Sequence, residues 1–413
     1  MKTLISISCW LLALFCYGQT VQHFSLCKDV EALGFDNTRM ARIDNLLSGY
    51  VDSQRFPNVL ALIIKDGQIV YEGVYGYKDV DKKQPIAMDD IYRNASQTKA
   101  ITTAVLMSLF EENKFKLDDP IDKYLPMLAN PQIYESGEAK DGTLKTRPAT
   151  KKITIRHLLT HTAGYDYNPY GQDVEGFFYK YPITSQDVLN RIAKIPLQHE
   201  PGEKFTYGFS TDIAGYLAEV IGGKPLDVLM RERVLDPLGM NDTYFVLPPD
   251  RYNRLVTMYM RDTQTGHYKI YPDELAQNFP KIDYRTAFCG GGGLVGTIGD
   301  YARFCQMILN GGEFNGKRIL GRKTVELMSS DQMEGVSSYL KFGLGFELTD
   351  KHRYNKCMVP ENSLKWGGAF GTDYIIDRKN NMILLLYTNI QQSYEENVDT
   401  QDRFHISVYQ SMK

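Results

Sequence analysis

A chain of 413 residues, 43% apolar and 23% charged, is long enough to bury one sizeable core or two unequal ones. It has an ordinary globular make-up that excludes a disordered or fibrous chain. The formal net charge of −3 is close to balance, with no long block of like charge, so no nucleic-acid or anionic-membrane partner is expected.

In chain order, Lys2 precedes an apolar run from Leu4 to Tyr17 interrupted only by Ser6 and Ser8. Small Cys16 and Gly18 stand three and one positions before Gln19. This layout predicts a signal peptide over residues 1–18 and an exported protein, periplasmic or secreted. The run is short for a membrane span, and no other segment approaches about 20 apolar residues, so no stable membrane insertion is expected. Beyond it, Cys27, Cys289, Cys305 and Cys357 are scattered. They form no close pair for zinc or a redox dithiol and read mainly as buried small apolar residues, with any disulfide pairing left open.

Val59 to Ile64, Asp66-Gly67 and Ile69 to Tyr75 read as a β-hairpin about a D-G turn. A helix should run from Ser96, or just before it, to about Glu112, with Ile101, Ala104, Val105, Leu109 and Phe110 at helical spacing. Residues 131–152 read as a long polar loop. Ser185 is the expected N-cap of a helix presenting Val188, Leu189, Ile192 and Ile195. Further helices are expected over Thr211 to Ile221, stopped by Gly222-Gly223, and Tyr301 to Leu309. Phe342 to Leu348, Tyr374 to Asp377 and Met382 to Tyr387 are strand candidates, and Arg403 to Met412 a last helix. Strands at both ends with helices between suit an α+β fold: one antiparallel sheet flanked by helices, with an inserted helical subdomain. The expected single domain, 19–413, has its sheet part at about 40–95 and 285–413 and its helical part at about 96–284.

Ser96-Gln97-Thr98-Lys99 puts a hydroxyl and an amine one turn apart on a helix face. A serine hydroxyl attacks poorly until a neighbour takes its proton, and a buried lysine can supply that neighbour. The helix N-terminus also favours developing negative charge. The spacing alone is weak, since Ser25 with Lys28 and Ser338 with Lys341 repeat it. Only the Ser96 copy opens a strongly apolar helix after a sheet-like segment.

Several collinear segments, over about residues 40–390, resemble the class C β-lactamase-like serine hydrolases, a family that includes DD-peptidases and family VIII esterases. Asn94-Ala95-Ser96-Gln97-Thr98-Lys99 resembles its nucleophile motif, and Leu117 to Pro126 the segment after its first long helix. Ile153 to Gly164, with the run His157-Leu158-Leu159-Thr160-His161-Thr162-Ala163-Gly164, and Pro201 to Tyr207 resemble two further stretches. Gly290 to Leu294 followed by Asp300 to Phe304 resembles a fifth. The resemblance implies a β-lactamase/DD-peptidase-like fold, Ser96 as acylated nucleophile, Lys99 as its partner and Tyr207 as proton relay. It also implies a third motif at Trp366-Gly367-Gly368, with the backbone N–H groups of Ser96 and Ala369 as oxyanion hole. No metal or organic cofactor is implied.

Two positions depart from the commoner family pattern. Phe209 stands where many members carry an asparagine able to bond an acylamide arm, and Trp366 replaces the lysine or histidine that would attract a carboxylate. Both changes suit uncharged esters. The expected function is therefore an acyl-enzyme hydrolase, a carboxylesterase or acyltransferase on small-molecule esters or amides, working as a monomer. The alternatives are a β-lactamase or D-amino-acid peptidase acting on cell-wall fragments, and a non-catalytic binding or sensor module of the same fold. Aromatic residues between Tyr165 and Tyr181 read equally as an acyl pocket or a packed loop. His157 and His161, four apart, lack the glutamate of a zinc-protease motif, and Gly290 to Gly293 is followed by no G-K-[ST]. Both read as structural.

Overall fold

The computed structural model describes residues 23–138, 144–167, 184–281, 287–336 and 340–413, with side chains at 136–138 excepted. The expected signal peptide lies outside them. The main sheet contains β1 (Ser25–Leu26), β2 (Asn58–Lys65), β3 (Gln68–Asp79), β4 (Lys341–Phe342), β5 (Glu347–Leu348), β6 (Leu364–Gly368), β7 (Thr372–Asp377) and β8 (Met382–Tyr387). Their spatial order is β1-β3-β2-β8-β7-β6-β5-β4. The β1–β3 pair is parallel, and the other neighbours in that order are antiparallel. Strands from both ends of the chain thus meet at the β2–β8 ladder, where Ile63 faces Leu384 and Leu62 faces Leu385.

The helices used below are α1 (Asn37–Asp52), α2 (Thr98–Glu111), α3 (Ile155–Leu159), α4 (Ser185–Ile192), α5 (Ser210–Gly222), α6 (Ile298–Leu309), α7 (Lys351–Cys357) and α8 (Tyr394–Tyr409). Continuous apolar strands such as Met382–Tyr387 need cover on both faces, and they have it. Leu60, Leu62, Ile64, Ile383, Leu385 and Tyr387 join the core built around α2, α5 and α6. Val59, Ala61, Ile63, Met382, Leu384 and Leu386 join a second core with α1 and α8. In the described residues no helix is long and apolar enough to cross a membrane.

The hairpin and the helix after it form as expected. Other boundaries shift. The N-cap of α4 is Thr184, one residue early, because Thr184 and Asp187 close a reciprocal capping box. Helix α6 begins at Ile298 behind the cap Thr297, and α8 begins at Tyr394 behind Ser393, which caps reciprocally with Glu396. The expected strand Phe342 to Leu348 is two short strands, β4 and β5. Gly343 and Gly345 break it where a Cβ would meet the Met328 carbonyl at 2.0 Å and the Thr103 hydroxyl at 2.6 Å. The expected loop 131–152 contains an antiparallel pair, Gln132–Glu138 with Leu144–Pro148. The four described cysteines are free, three of them buried.

Because both faces of β8 are covered, Leu384→Ala and Leu385→Ala should each destabilise the protein by about 2–5 kcal/mol in denaturant titrations. A near-neutral result for either would contradict the two-core arrangement.

Candidate active site

Helix α2 is introduced by a tight turn, Ala95–Gln97. Ala95 adopts φ +46°, a left-handed conformation that costs a side-chain-bearing residue about 1–2 kcal/mol and persists only where the surroundings enforce it. They do so from several sides. The Asn94 N–H donates to the Leu294 carbonyl at 3.0 Å. The Tyr387 hydroxyl donates to Gln97 Oε1 at 2.6 Å, and the Tyr301 hydroxyl to the Gln97 carbonyl at 3.0 Å. Residues 91–95 and 97–109 are buried, while Ser96 is half-buried. The fold clamps the turn and leaves one hydroxyl accessible.

Lys99 is 2% exposed. Its Nζ donates to Ser96 Oγ at 3.1 Å, to the Tyr167 hydroxyl at 3.1 Å and to the Gly291 carbonyl at 2.6 Å. Three acceptors match the three protons of an ammonium group. The rings of Tyr207 and Tyr167 lie 4.7 and 5.2 Å from the same nitrogen, an arrangement that favours a cation. From the loop before α5, the Tyr207 hydroxyl donates to Ser96 Oγ at 2.6 Å. A hydroxyl and an amine from one stretch of chain and a phenol from another therefore converge, and Ser96 lies within direct proton-transfer distance of either neighbour once that neighbour has given up its own proton.

The third motif lies at the end of β6. The Trp366 indole N–H reaches the Tyr207 hydroxyl at 3.4 Å, and its ring packs on those of Tyr207 and Phe342. A Cβ on Gly368 would lie 2.5 Å from the Asn94 carbonyl oxygen, and one on Gly367 2.7 Å from the Thr372 carbonyl oxygen. Glycine thus lets the strand end press against the Ser96 turn. Ala369 follows, exposed, in the turn to β7. Phe209, expected to border the substrate, is instead 1% exposed and packs edge-on against Tyr167 at 4.8 Å. Its ring lies behind that phenol and not at the surface of the site.

Four further residues complete the centre. Tyr167 bridges Lys99 and Asp212, donating to Asp212 Oδ2 at 3.1 Å. Burial and the adjacent carboxylate push its phenol well above the ordinary range, which keeps it protonated. Asp212 Oδ1 accepts from the Gly291 N–H and the Cys289 thiol, both at 2.9 Å. Gly291 supplies the carbonyl for Lys99, so the glycine run serves the ammonium and not a phosphate. His161, with φ +54°, stacks against Tyr207 at 5.0 Å; burial and then nearby Lys99 push it well below its usual value, leaving a neutral ring. The aromatic density after Tyr165 was the sequence signal for Tyr167. The residues of that run from 168 onward, Tyr170 to Tyr181 included, lie outside the described residues. Asp212 had no motif to announce it.

His157 and His161 part company. His157 accepts the Thr154 N–H at Nδ1 within α3, and burial pushes it down to about 4, while His161 lies beyond the helix end. Away from the site, Cys357, Asp402 and His405 gather within 4.8 Å. Arg353 already supplies the cation there, 2.9 Å from Asp402 and 3.4 Å from His405, and Lys356 adds a second at 2.8 Å.

A clamped, half-buried serine, a buried lysine one turn later and a tyrosine hydrogen-bonded to that serine, set between a sheet and a helical layer, are the arrangement expected of a β-lactamase-type serine hydrolase. The family model described as Beta-lactamase matches residues 43–406, and the chain belongs to that family. It is 26% identical over 387 residues to esterase EstB of Burkholderia gladioli, covering 87% of this chain and 93% of EstB. It is 28% identical over 419 aligned positions to an Escherichia coli (strain K12) protein provisionally named a D-alanyl-D-alanine carboxypeptidase, covering 94% and 90%. Among solved structures it is similar to EstCE1, described as a hydrolase with promiscuous acyltransferase activity. The TM-score there is 0.73 with 24% identity, covering 90% of this chain and 98% of that one.

Gly368→Ala should lower kcat about 100-fold with little change in melting temperature, because the added methyl displaces the strand end from the Ser96 turn. Steady-state ester kinetics and thermal melts check this; unchanged kcat would contradict it.

Proposed function

We propose that this protein is an exported carboxylesterase or acyltransferase that works through an acyl-enzyme on Ser96. The observation that carries the reading is the double contact of Ser96 Oγ, with Lys99 Nζ at 3.1 Å and the Tyr207 hydroxyl at 2.6 Å. Ser96 Oγ attacks the ester carbonyl carbon while its proton passes to whichever of Lys99 and Tyr207 has first given up its own, so that the pair acts as the general base. The oxyanion is received by the N–H groups of Ser96 and Ala369. Collapse breaks the ester C–O bond, the departing alkoxide takes the proton back, and an alcohol leaves. Water then attacks the acyl-serine by the same proton path and releases the acid; an acceptor alcohol in its place gives acyl transfer. No step needs a metal or an organic cofactor.

Preference for uncharged esters rests on Trp366. An indole packed on Tyr207 and Phe342 fills the position where a cationic side chain would hold a substrate carboxylate, and the Phe209 ring beneath Tyr167 adds no polar group. EstB and EstCE1 support the same reading by their names. The carboxypeptidase name of the Escherichia coli relative supports the second one, a D-amino-acid peptidase or β-lactamase. Export rests on the segment Lys2 to Gly18.

A three-substrate panel separates the readings: short-chain p-nitrophenyl esters, a chromogenic cephalosporin and a D-Ala-D-Ala peptide. Ester turnover should exceed the other two by orders of magnitude and vanish in Ser96→Ala, while Lys99→Ala and Tyr207→Phe each lose orders of magnitude and stay folded. Fast turnover of the cephalosporin or the peptide alone would overturn the ester reading.

A further inference from the structure

Asp212 lies in the first turn of α5 with 0% exposure, deep in a protein interior where an ionised carboxylate is costly without compensation. Its contacts are specific. Oδ2 accepts from the Tyr167 hydroxyl at 3.1 Å, and Oδ1 accepts from the Gly291 N–H and the Cys289 thiol at 2.9 Å each. Tyr167 and Gly291 are the residues whose oxygens, with Ser96 Oγ, receive the three protons of Lys99. The carboxylate therefore grips from behind both groups that aim the amine. The packing admits nothing else, since a Cβ on Gly291 would lie 2.4 Å from Asp212 Oδ2 and 2.6 Å from the Tyr167 hydroxyl.

We propose that Asp212 is a positioning residue for catalysis, whose carboxylate holds Tyr167 and Gly291 so that the Lys99 amine points at Ser96. The proposal rests on the acyl-enzyme reading of Ser96 and adds a residue to it. The carboxylate accepts on both of its oxygens. An amide of the same shape accepts on one side only: with its NH2 toward Tyr167 it reverses that hydrogen bond and competes with Lys99 for the phenol oxygen, and with its NH2 toward Gly291 it faces an N–H that can only donate. The charge has a second consequence. The groups facing Lys99 are Ser96 on its own helix, His161 and Tyr167 from the segment after α3, Tyr207 from the loop before α5, and Cys289 with the Gly291 carbonyl from the glycine run. Burial and Lys99 keep His161 neutral, and burial and Asp212 keep Tyr167 and Cys289 protonated. Asp212 is the carboxylate behind this set, and an opposite charge favours the ammonium form.

The test compares wild type, Asp212→Asn, Tyr167→Phe and the double variant on a p-nitrophenyl ester across pH. Asp212→Asn should lower kcat about 10- to 100-fold with KM within about twofold. The double variant should lose little more than Asp212→Asn alone, because the two changes break one chain of contacts. Wild-type kcat in Asp212→Asn, a loss carried by KM instead of kcat, or losses that simply multiply would overturn the proposal. If Asp212→Asn does not fold, Tyr167→Phe decides alone: a 10-fold or greater kcat loss at constant KM supports the proposal, and wild-type kcat refutes it. Intact-mass labelling of wild type with a fluorophosphonate separates the two levels. An adduct on Ser96 with a failed Asp212 test removes only this proposal, whereas no adduct removes the acyl-enzyme reading beneath it.

Discussion

A primary amine with 2% exposure, held by a hydroxyl, a phenol and a carbonyl, is the constraint around which this molecule is arranged. Lysine is a compact, strongly hydrated charge, and taking it out of water is tolerable only when its donors are met and its charge is answered. Each of its three partners arrives from a different part of the chain. Ser96 comes from the same helix, Tyr167 from the segment beyond α3, and Gly291 from a glycine run that ends just before α6. Their meeting at one nitrogen ties the segment beyond α3 and the glycine run to the start of α2. The site is as much a packing solution as a catalytic one.

The same logic explains where the sequence spends glycine. Gly291 leaves room for the Asp212 carboxylate and the Tyr167 hydroxyl, and Gly368 lets the end of β6 approach the carbonyl of Asn94. A Cβ on Gly208 would lie 2.2 Å from the Tyr165 carbonyl oxygen, so this glycine allows the Tyr207 loop to lie against the Tyr165–Tyr167 segment. Each is a close approach of backbone to the centre. Aromatic rings fill the rest: Phe205, Tyr207, Phe342 and Trp366 pack with His161 in a contiguous cluster. Apart from Lys99, whose Nζ lies 4.7 Å from its ring, the phenol that touches Ser96 is held by aromatic rings, which is why the site reads as suited to uncharged acyl groups.

Much of this was legible in sequence because it is local. The D-G hairpin, the apolar face of α2 and the one-turn spacing of Ser96 and Lys99 are short-range patterns, and the motif resemblance supplied Tyr207 and the glycines of the third motif. What sequence reasoning missed is non-local. Asp212 looks like any helix-start carboxylate until Gly291 and Tyr167 are brought to it, and Phe209, two residues after Tyr207, turns inward. Two misplaced boundaries did have signals: Thr184 with Asp187, and Ser393 with Glu396, are capping boxes three residues apart. The split of the expected strand at Gly343 and Gly345 follows from contacts with Met328 and Thr103, which no local pattern reveals.

The central claim is that Ser96 carries an acyl group in turnover, and the most direct measurement is to catch it there. Acid-quenching a reaction with a slowly deacylating ester, followed by peptide mapping by mass spectrometry, should place one acyl group per chain on the peptide containing Ser96. An acyl group found on another residue, or steady turnover of that ester with no covalent species at any time point, would contradict the account.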